Sequence, residues 1–245
     1  MSEMKEDMIE LMDEDKDDEM TIGAKLRLGF IRKVYGIIFF QLLITTGVIY
    51  FVMSSPAIMT YMITYYWLSI FTSIITIIFM IMLICCKLSN VVPANYIILI
   101  LLTIFEAITV SFTTIYFDPI SVLTCAGLTM LIVFGLTMYA CFTKTDVTLM
   151  GGFLLSCSIL LFFLGIIGIF FQSYFYMMFL NCCGVLLGSV YLIYDTQLVV
   201  GNKTNLLKLD NYILGALLIY LDIIILFLRI LRLLGNNKKY ISLIK

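Results

Sequence analysis

The sequence predicts an all-α integral membrane protein, folded as a bundle of seven transmembrane helices. Two observations lead to this prediction. The chain of 245 residues is 62% hydrophobic and 13% charged, whereas soluble domains are about 45–50% apolar and about 25% charged. A helix that crosses a bilayer needs about 20 mostly apolar residues, and the chain contains seven such stretches with short connections between them. Strands of a membrane barrel would instead alternate apolar and polar residues, and no stretch does so.

The seven apolar stretches define the predicted helices and one domain, residues 25–235. Its limits are set by polar or charged residues on both sides, and residues 236–245 form a short basic tail. The predicted spans are Val34–Met53, Tyr65–Cys86, Asn95–Tyr116, Pro119–Cys141, Met150–Phe171, Tyr174–Tyr194 or as far as Val200, and Tyr212–Leu234.

The first 24 residues form a separate acidic segment. Residues 1–20 contain ten acidic residues and two lysines, so self-repulsion and the lack of apolar surface oppose a packed structure there. The segment is also the reverse of a signal peptide, which begins with basic residues. We therefore expect residues 1–24 to be a disordered tail in the cytosol.

Lysine and arginine alternate between the loops and predict the orientation. The first, third and fifth loops contain neither residue, and basic loops face the cytosol. The N-terminus is therefore expected in the cytosol. A seventh span would place the basic C-terminal tail on the other side, so the last segment either crosses against this rule or is re-entrant. The basic residues are Lys25, Arg27, Arg32 and Lys33 before the first span, Lys87, Lys144, Lys203 and Lys208 in the even loops, and Arg229, Arg232, Lys238, Lys239 and Lys245 at the end.

Two aspartates, Asp195 and Asp222, lie inside the last two apolar segments. An ionised carboxylate at membrane depth costs roughly 2.5–3.5 kcal/mol on insertion scales, so such residues are usually functional. The two segments form a hairpin, and both aspartates are about equally far from its turn, which places them at similar depth. Gly184 and Gly188 form a small-xxx-small pair that allows close helix approach, and Gly188 lies within about 20° of Asp195 around the helix.

Two neighbouring carboxylates cannot both ionise cheaply, so the pair is expected to share a proton or to bind a cation. Calcium, which prefers hard oxygen ligands, is the expected ion, bound transiently by Asp195 and Asp222; no resident cofactor is expected. The alternative is structural: each carboxylate bonds to a neighbouring hydroxyl or to Arg229 and only fixes the packing. Arg229 is seven residues beyond Asp222, on the same face but about 10 Å along the helix.

Glu106 is a third acid within a span, in the middle of the third apolar segment. It either lines the same cavity as the aspartate pair and supports an ion pathway, or pairs with a basic residue. Both readings stay open on the sequence.

The composition and motifs exclude several functions. The chain has no histidine, so imidazole-based metal sites, general bases and pH sensors are absent. It shows no phosphate-binding loop, no dinucleotide fingerprint and no nucleophile elbow. We therefore expect neither an enzyme nor a partner of nucleic acid.

Several segments resemble the transmembrane Bax inhibitor motif family, and its lifeguard branch most closely. The most specific are GSVYLIYDTQLVVG and DNYILGALLIYLDIIILFLRILRLLG around the two aspartates. FIRKVYGIIFFQLLIT, VPANYIILILLTIFEA and GLTMYACFTKTDVTLMGGFLL agree more weakly. The resemblance covers roughly residues 25–235.

This resemblance implies a seven-helix fold whose last helix is short and central. It implies an intracellular membrane, chiefly of the endoplasmic reticulum or Golgi, with the plasma membrane as an alternative. It also implies restraint of apoptosis or of stress-induced cell death, and a pH-sensitive calcium leak governed by a carboxylate pair, which maps onto Asp195 and Asp222. The implied partners are the lipid bilayer, calcium and cell-death regulatory membrane proteins.

Two other functions remain open on the sequence. A membrane regulator of cell death that acts through protein partners would transport nothing and would tolerate Asp195→Asn and Asp222→Asn. A proton-coupled transporter would also use acids within the membrane, although such proteins usually show internal repeats or helices broken by glycine and proline.

Overall fold

A computed structural model describes residues 3–85, 88–171, 173–201, 207 and 211–236, with side chains from residue 23 onwards except that of residue 90. Within these ranges the protein is helical and contains no strand, which confirms the all-α class. The α-helices are α1 (Glu3–Ser54), α2 (Pro56–Thr64), α3 (Leu68–Ile84), α4 (Ala94–Thr114), α5 (Pro119–Phe142), α6 (Gly151–Phe170), α7 (Tyr174–Val200) and α8 (Tyr212–Leu234), with short 3-10 helices at Leu88–Asn90 and Val147–Met150.

The described part of the chain allows six or seven spans, so the predicted seven is not confirmed. Within the described ranges six helices are long and apolar enough to cross a membrane: α1 from Gly23, α4, α5, Val147–Phe170, α7 and α8. A seventh span exists only if α2 and α3 count together, and their axes differ by 89°. The sequence places this span at Tyr65–Cys86, whereas Tyr65–Trp67 forms the turn between the two helices and α3 alone has 17 residues.

Exposed aromatic side chains explain the position of this bend. Tyr65, Tyr66 and Trp67 are all exposed at the turn, and such rings are enriched where a membrane meets water. Pro56 begins α2, where its missing N–H costs nothing because the first amides of a helix have no partner. The bend therefore fits the edge of the apolar layer.

The acidic segment lies in the first part of α1, and its expected disorder in the cytosol stays a prediction. The backbone of α1 is helical from Glu3 through Ser54. No proline and no glycine precedes Gly23, and methionine, glutamate, leucine and lysine all favour helix. The limits of the domain at residues 25 and 235 stay a prediction, and most of the C-terminal tail lies outside the described residues.

The last helix, α8, is central but not short. It runs unbroken for 23 residues, about 34 Å at 1.5 Å per residue, which corrects the expectation of a short helix and gives it the length to cross a bilayer. About 67% of its most apolar window is buried, against at most 50% in the other spans. It packs against α1, α4, α5 and α7.

Two opposite faces of α8 contact different partners. One face packs on α1 and α4 through Ile213, Leu217 and Tyr220. The other packs on α7 through Gly215 and Leu226. Since both faces are buried, α8 separates two packed interfaces within one bundle.

Candidate functional site

The structure places Asp195 and Asp222 side by side between α7 and α8. Their side chains are 6% and 8% exposed, and the two carboxyls are close enough to interact directly. Because a carboxylate has no proton to donate, a hydrogen bond between them requires a proton on one of the two carboxyls. The Oδ2 atom of Asp222 is buried without a hydrogen-bond partner. The hairpin geometry of the sequence thus identifies a real contact, while its role as a gate stays a prediction.

The packing of α7 on α8 sets the register that brings the pair together. Gly188 contacts Leu226, whose Cδ2 atom lies 3.3 Å from the position that an added Cβ would take at Gly188. Gly215 of α8 in turn receives Val199, whose Cγ2 lies 3.0 Å from the corresponding point. Asp195 and Asp222 lie between these two contacts, so the glycines fix both the spacing and the depth of the carboxyls.

Arg229 does not pair with Asp222. Its Nη1 donates to Oδ1 of Asn181 on α7 at 3.3 Å, and its guanidinium covers Gly184, where an added Cβ would lie 2.8 Å from Nε. Among the described side chains, no lysine or arginine forms an ion pair with either aspartate. The structural alternative in which Arg229 neutralises the pair therefore finds no support in these contacts.

Glu106 lies on the other side of α8. It is one turn from Leu102 and one turn from Val110 on the face of α4 that packs on α8, and it interacts electrostatically with Tyr220. Tyr220 and Asp222 point about 200° apart around α8. The structure thus does not bring Glu106 to the aspartate pair.

Hydroxyl and amide groups link α1, α4 and α8 near Tyr220, with which Glu106 interacts. The Tyr220 hydroxyl is 2.8 Å from Oγ1 of Thr45, and Nε2 of Gln41 donates to Oγ1 of Thr103 at 3.1 Å. These contacts join α1, α4 and α8 in a buried polar cluster that residue spacing alone did not identify.

The sequence also does not identify Gln197 as part of the site. This residue follows Asp195 by two positions, and both ends of its amide bind the loop between α5 and α6: Oε1 accepts from the Val147 amide at 2.9 Å, and Nε2 donates to the Thr145 carbonyl at 3.0 Å. Tyr194 covers Gly151 at the start of α6, with its Oη 3.0 Å from the position of an added Cβ. Tyr194 and Gln197, which flank Asp195 in the YDTQ segment, therefore hold the end of α7 against the start of α6 and the α5–α6 loop.

The arrangement can hold one proton or attract one cation. Two ionised carboxylates about 4 Å apart repel by about 4 kcal/mol at an effective dielectric near 20. A proton shared between them removes that repulsion, and so does a cation bound by their oxygens. Within the described residues no group of three or more cysteine, aspartate or glutamate side chains is placed to hold a metal ion, so the site is a carboxyl pair.

Comparison with known proteins gives consistent matches. The family model described as "Inhibitor of apoptosis-promoting Bax1" matches residues 27–239. The human protein lifeguard 3 is 32% identical over 220 residues, which cover 87% of this chain and 70% of the relative. The mouse protein lifeguard 3 is 30% identical over 221 residues, covering 87% and 71%.

A viral protein matches over nearly its whole length. The Golgi anti-apoptotic protein of vaccinia virus (strain Lister) is 32% identical over 228 residues, which cover 89% of this chain and 90% of the relative. The family and these relatives are described as apoptosis inhibitors and lifeguard proteins rather than as enzymes. Together with the helical bundle and its long apolar helices, these matches show that the chain is a multi-pass membrane protein of the Bax inhibitor family, in the lifeguard branch.

Proposed function

We propose that this protein is a pH-sensitive calcium leak of intracellular membranes that restrains apoptosis or stress-induced cell death. One observation carries the proposal: Asp195 and Asp222 are buried between α7 and α8, interact directly with each other, and have no basic partner among the described side chains. The description of the family and the name of the viral relative support the link to apoptosis.

The gate follows from the charge of the pair. With one shared proton the carboxyls attract each other and hold α7 against α8. Loss of that proton leaves two negative charges whose repulsion is about 4 kcal/mol, most of the roughly 5.5 kcal/mol that moves a two-state equilibrium from 1:99 to 99:1. The charged pair then separates or admits a cation, so the leak rises as pH rises through the apparent pKa of the pair.

The membrane and the orientation belong to the same proposal. The basic loops favour an N-terminus in the cytosol, and the name of the viral relative favours the Golgi, with the endoplasmic reticulum as the alternative compartment. Calcium and cell-death regulatory membrane proteins are the proposed partners in addition to the bilayer.

Calcium flux into liposomes tests the gate. Wild-type protein with an enclosed calcium dye should show flux that increases with pH, whereas Asp195→Asn and Asp222→Asn should flatten this dependence because one carboxyl can no longer repel the other. Asp146→Asn is the matched control, since Asp146 caps a short helix in the α5–α6 loop and asparagine can accept the same bond. Coincident traces for all four proteins would leave the pair a structural contact.

A regulator that transports nothing is the second candidate, favoured by relatives that are named for apoptosis rather than for transport. The two candidates differ in cells. If the double variant Asp195→Asn/Asp222→Asn protects cells from an apoptotic stimulus as well as wild type does, while its flux in liposomes has lost its pH dependence, protein contacts rather than calcium leak explain the activity.

A further inference from the structure

Arg27 of α1 binds the end of α7 through three hydrogen bonds. Its guanidinium donates to the carbonyl oxygens of Leu198 at 2.9 Å and Val200 at 3.3 Å, and to that of Leu207, beyond α7, at 2.8 Å. The last carbonyls of a helix have no partner within the helix. Arg27 therefore satisfies acceptors at the C-terminus of α7 with a side chain from a different helix.

The chemistry of this contact suits arginine in particular. A guanidinium presents its donors in a rigid planar fork, whereas an ammonium is a compact charge on a flexible stem. A positive charge is also favourable at a helix C-terminus, where the helix dipole is negative. Lysine at this position keeps the charge but loses the geometry that reaches three carbonyls.

Neighbouring residues shape the position of the guanidinium. Gly201 ends α7 with φ +73°, a conformation that favours glycine, and a Cβ there would lie 2.5 Å from Nε of Arg27. Within α1, the ring of Phe30 lies one turn beyond Arg27, with its centroid 4.7 Å from Cζ of Arg27. Phe30 is itself buried in one cluster with Val199 of α7. The contact is thus built from both helices.

The contact is close to the aspartate pair. Leu198 follows Asp195 by three residues, about 4.5 Å along the axis of α7, so Arg27 restrains the turn that carries Asp195. From this geometry we propose that Arg27 is a positioning residue, which clamps the end of α7 to α1 and thereby holds Asp195 against Asp222. The inference rests on the proposed function for its effect on calcium, and on the contacts alone for its effect on α7.

Amide hydrogen exchange and calcium flux together test the clamp. In purified full-length protein, Arg27→Gln should accelerate exchange of the amides of residues 196–201 roughly tenfold, since release of a restrained helix end raises local opening. In liposomes the same variant should raise flux at the acidic pH where wild type is shut, by a similar factor. Arg27→Lys should give exchange and flux between those of wild type and Arg27→Gln. Gly201→Ala should act like Arg27→Gln, because its Cβ would occupy the place of the guanidinium.

Arg32→Gln is the control, because it removes the same charge from an exposed position on the same helix; it should leave exchange and flux unchanged. Equal exchange in the Arg27→Gln and Arg32→Gln proteins overturns the proposal, as does faster exchange with a pH profile of flux identical to that of wild type. If wild type shows no flux at any pH, the proposed function fails, and unaltered exchange in Arg27→Gln is then the result that overturns the clamp.

Discussion

Gly184 and Gly188 each receive one side chain from α8, and the two side chains differ in kind. Leu226 contacts Gly188, and the guanidinium of Arg229 lies over Gly184 while donating to Asn181. The small residues predicted from the sequence to allow close helix approach therefore also seat a charged group. Arg229 supports the packing of α7 on α8 rather than the carboxyl pair.

We expect Gly184→Ala to lower the stability of the protein. The added methyl group would lie 2.8–3.0 Å from three atoms of Arg229, and the hydrogen bond to Asn181 hinders the shift that would relieve the overlap; overpacking of this kind costs about 1–3 kcal/mol. Thermal unfolding in detergent measures the effect.

The control is Gly135→Ala in α5, where an added Cβ meets nothing within 4 Å. Alanine favours helix over glycine by up to about 1 kcal/mol, so this variant should be neutral or more stable. Equal melting temperatures for the two variants would contradict the seating of Arg229 on Gly184.

At the scale of the helices, apolar length predicts the spans well and fails where a helix bends. The observed limits of α4, α5, α6 and α8 differ from the predicted ones by two residues or fewer, and α7 ends at Val200, the farther of its two predicted ends and six residues beyond Tyr194. Apolar length alone misses the bend before α3, because the aromatic residues of the turn, Tyr65–Trp67, run directly into the apolar stretch of the helix that follows. Pro56 was the available signal, since it marks the start of the separate helix α2.

The sequence predicts those contacts of the candidate site in which one side chain meets another, but not those in which a side chain binds the backbone. Asp195 and Asp222 are equally distant from one turn, so the sequence alone places them together. Arg27 and Gln197 bind backbone groups, and carbonyls and amides leave no trace in residue identity. The neighbours of Glu106 depend on which face of α4 meets α8, which apolar periodicity does not decide in a helix that is apolar on every side.

Because α8 is buried on two faces, we expect Glu106 on one face to influence the aspartate pair on the other. Glu106 and Tyr220 lie on one side of α8 and Asp222 on the other, so a change of charge at Glu106 acts on α8 without touching the pair. Glu106→Gln should shift the pH of half-maximal flux while leaving the slope of the profile intact, in contrast to the aspartate variants. Flux and expression that both equal those of wild type would make Glu106 a structural residue.

For the whole molecule, three contacts gather the ends of several helices at one end of the bundle. Arg27 binds the end of α7, Gln197 binds the loop that contains Lys144, and Lys33 lies 3.8 Å from the ring centroid of Tyr212 at the start of α8. Basic segments that are separate in the sequence therefore lie at the same end of the bundle.

This shared side predicts the result of a topology experiment. Protease added to sealed vesicles should remove a tag at the N-terminus, because basic segments face the cytosol, and should spare a tag inserted between α6 and α7, at the opposite end. Immunoblots of the two tagged proteins, with and without detergent, measure protection. Protection of the N-terminal tag in intact vesicles would reverse the orientation.

If α3 crosses the membrane without α2, its 17 residues set the thickness of bilayer that suits this protein. They span about 26 Å at 1.5 Å per residue, close to the roughly 27 Å apolar layer of the endoplasmic reticulum and short of the roughly 32–33 Å of a plasma membrane. Because α2 turns away by 89°, it cannot lengthen α3 along the same axis. A thicker bilayer would have to thin around such a span at a cost of fractions of a kcal/mol per Å, so hydrophobic mismatch predicts that the protein is more stable in thin bilayers than in thick ones.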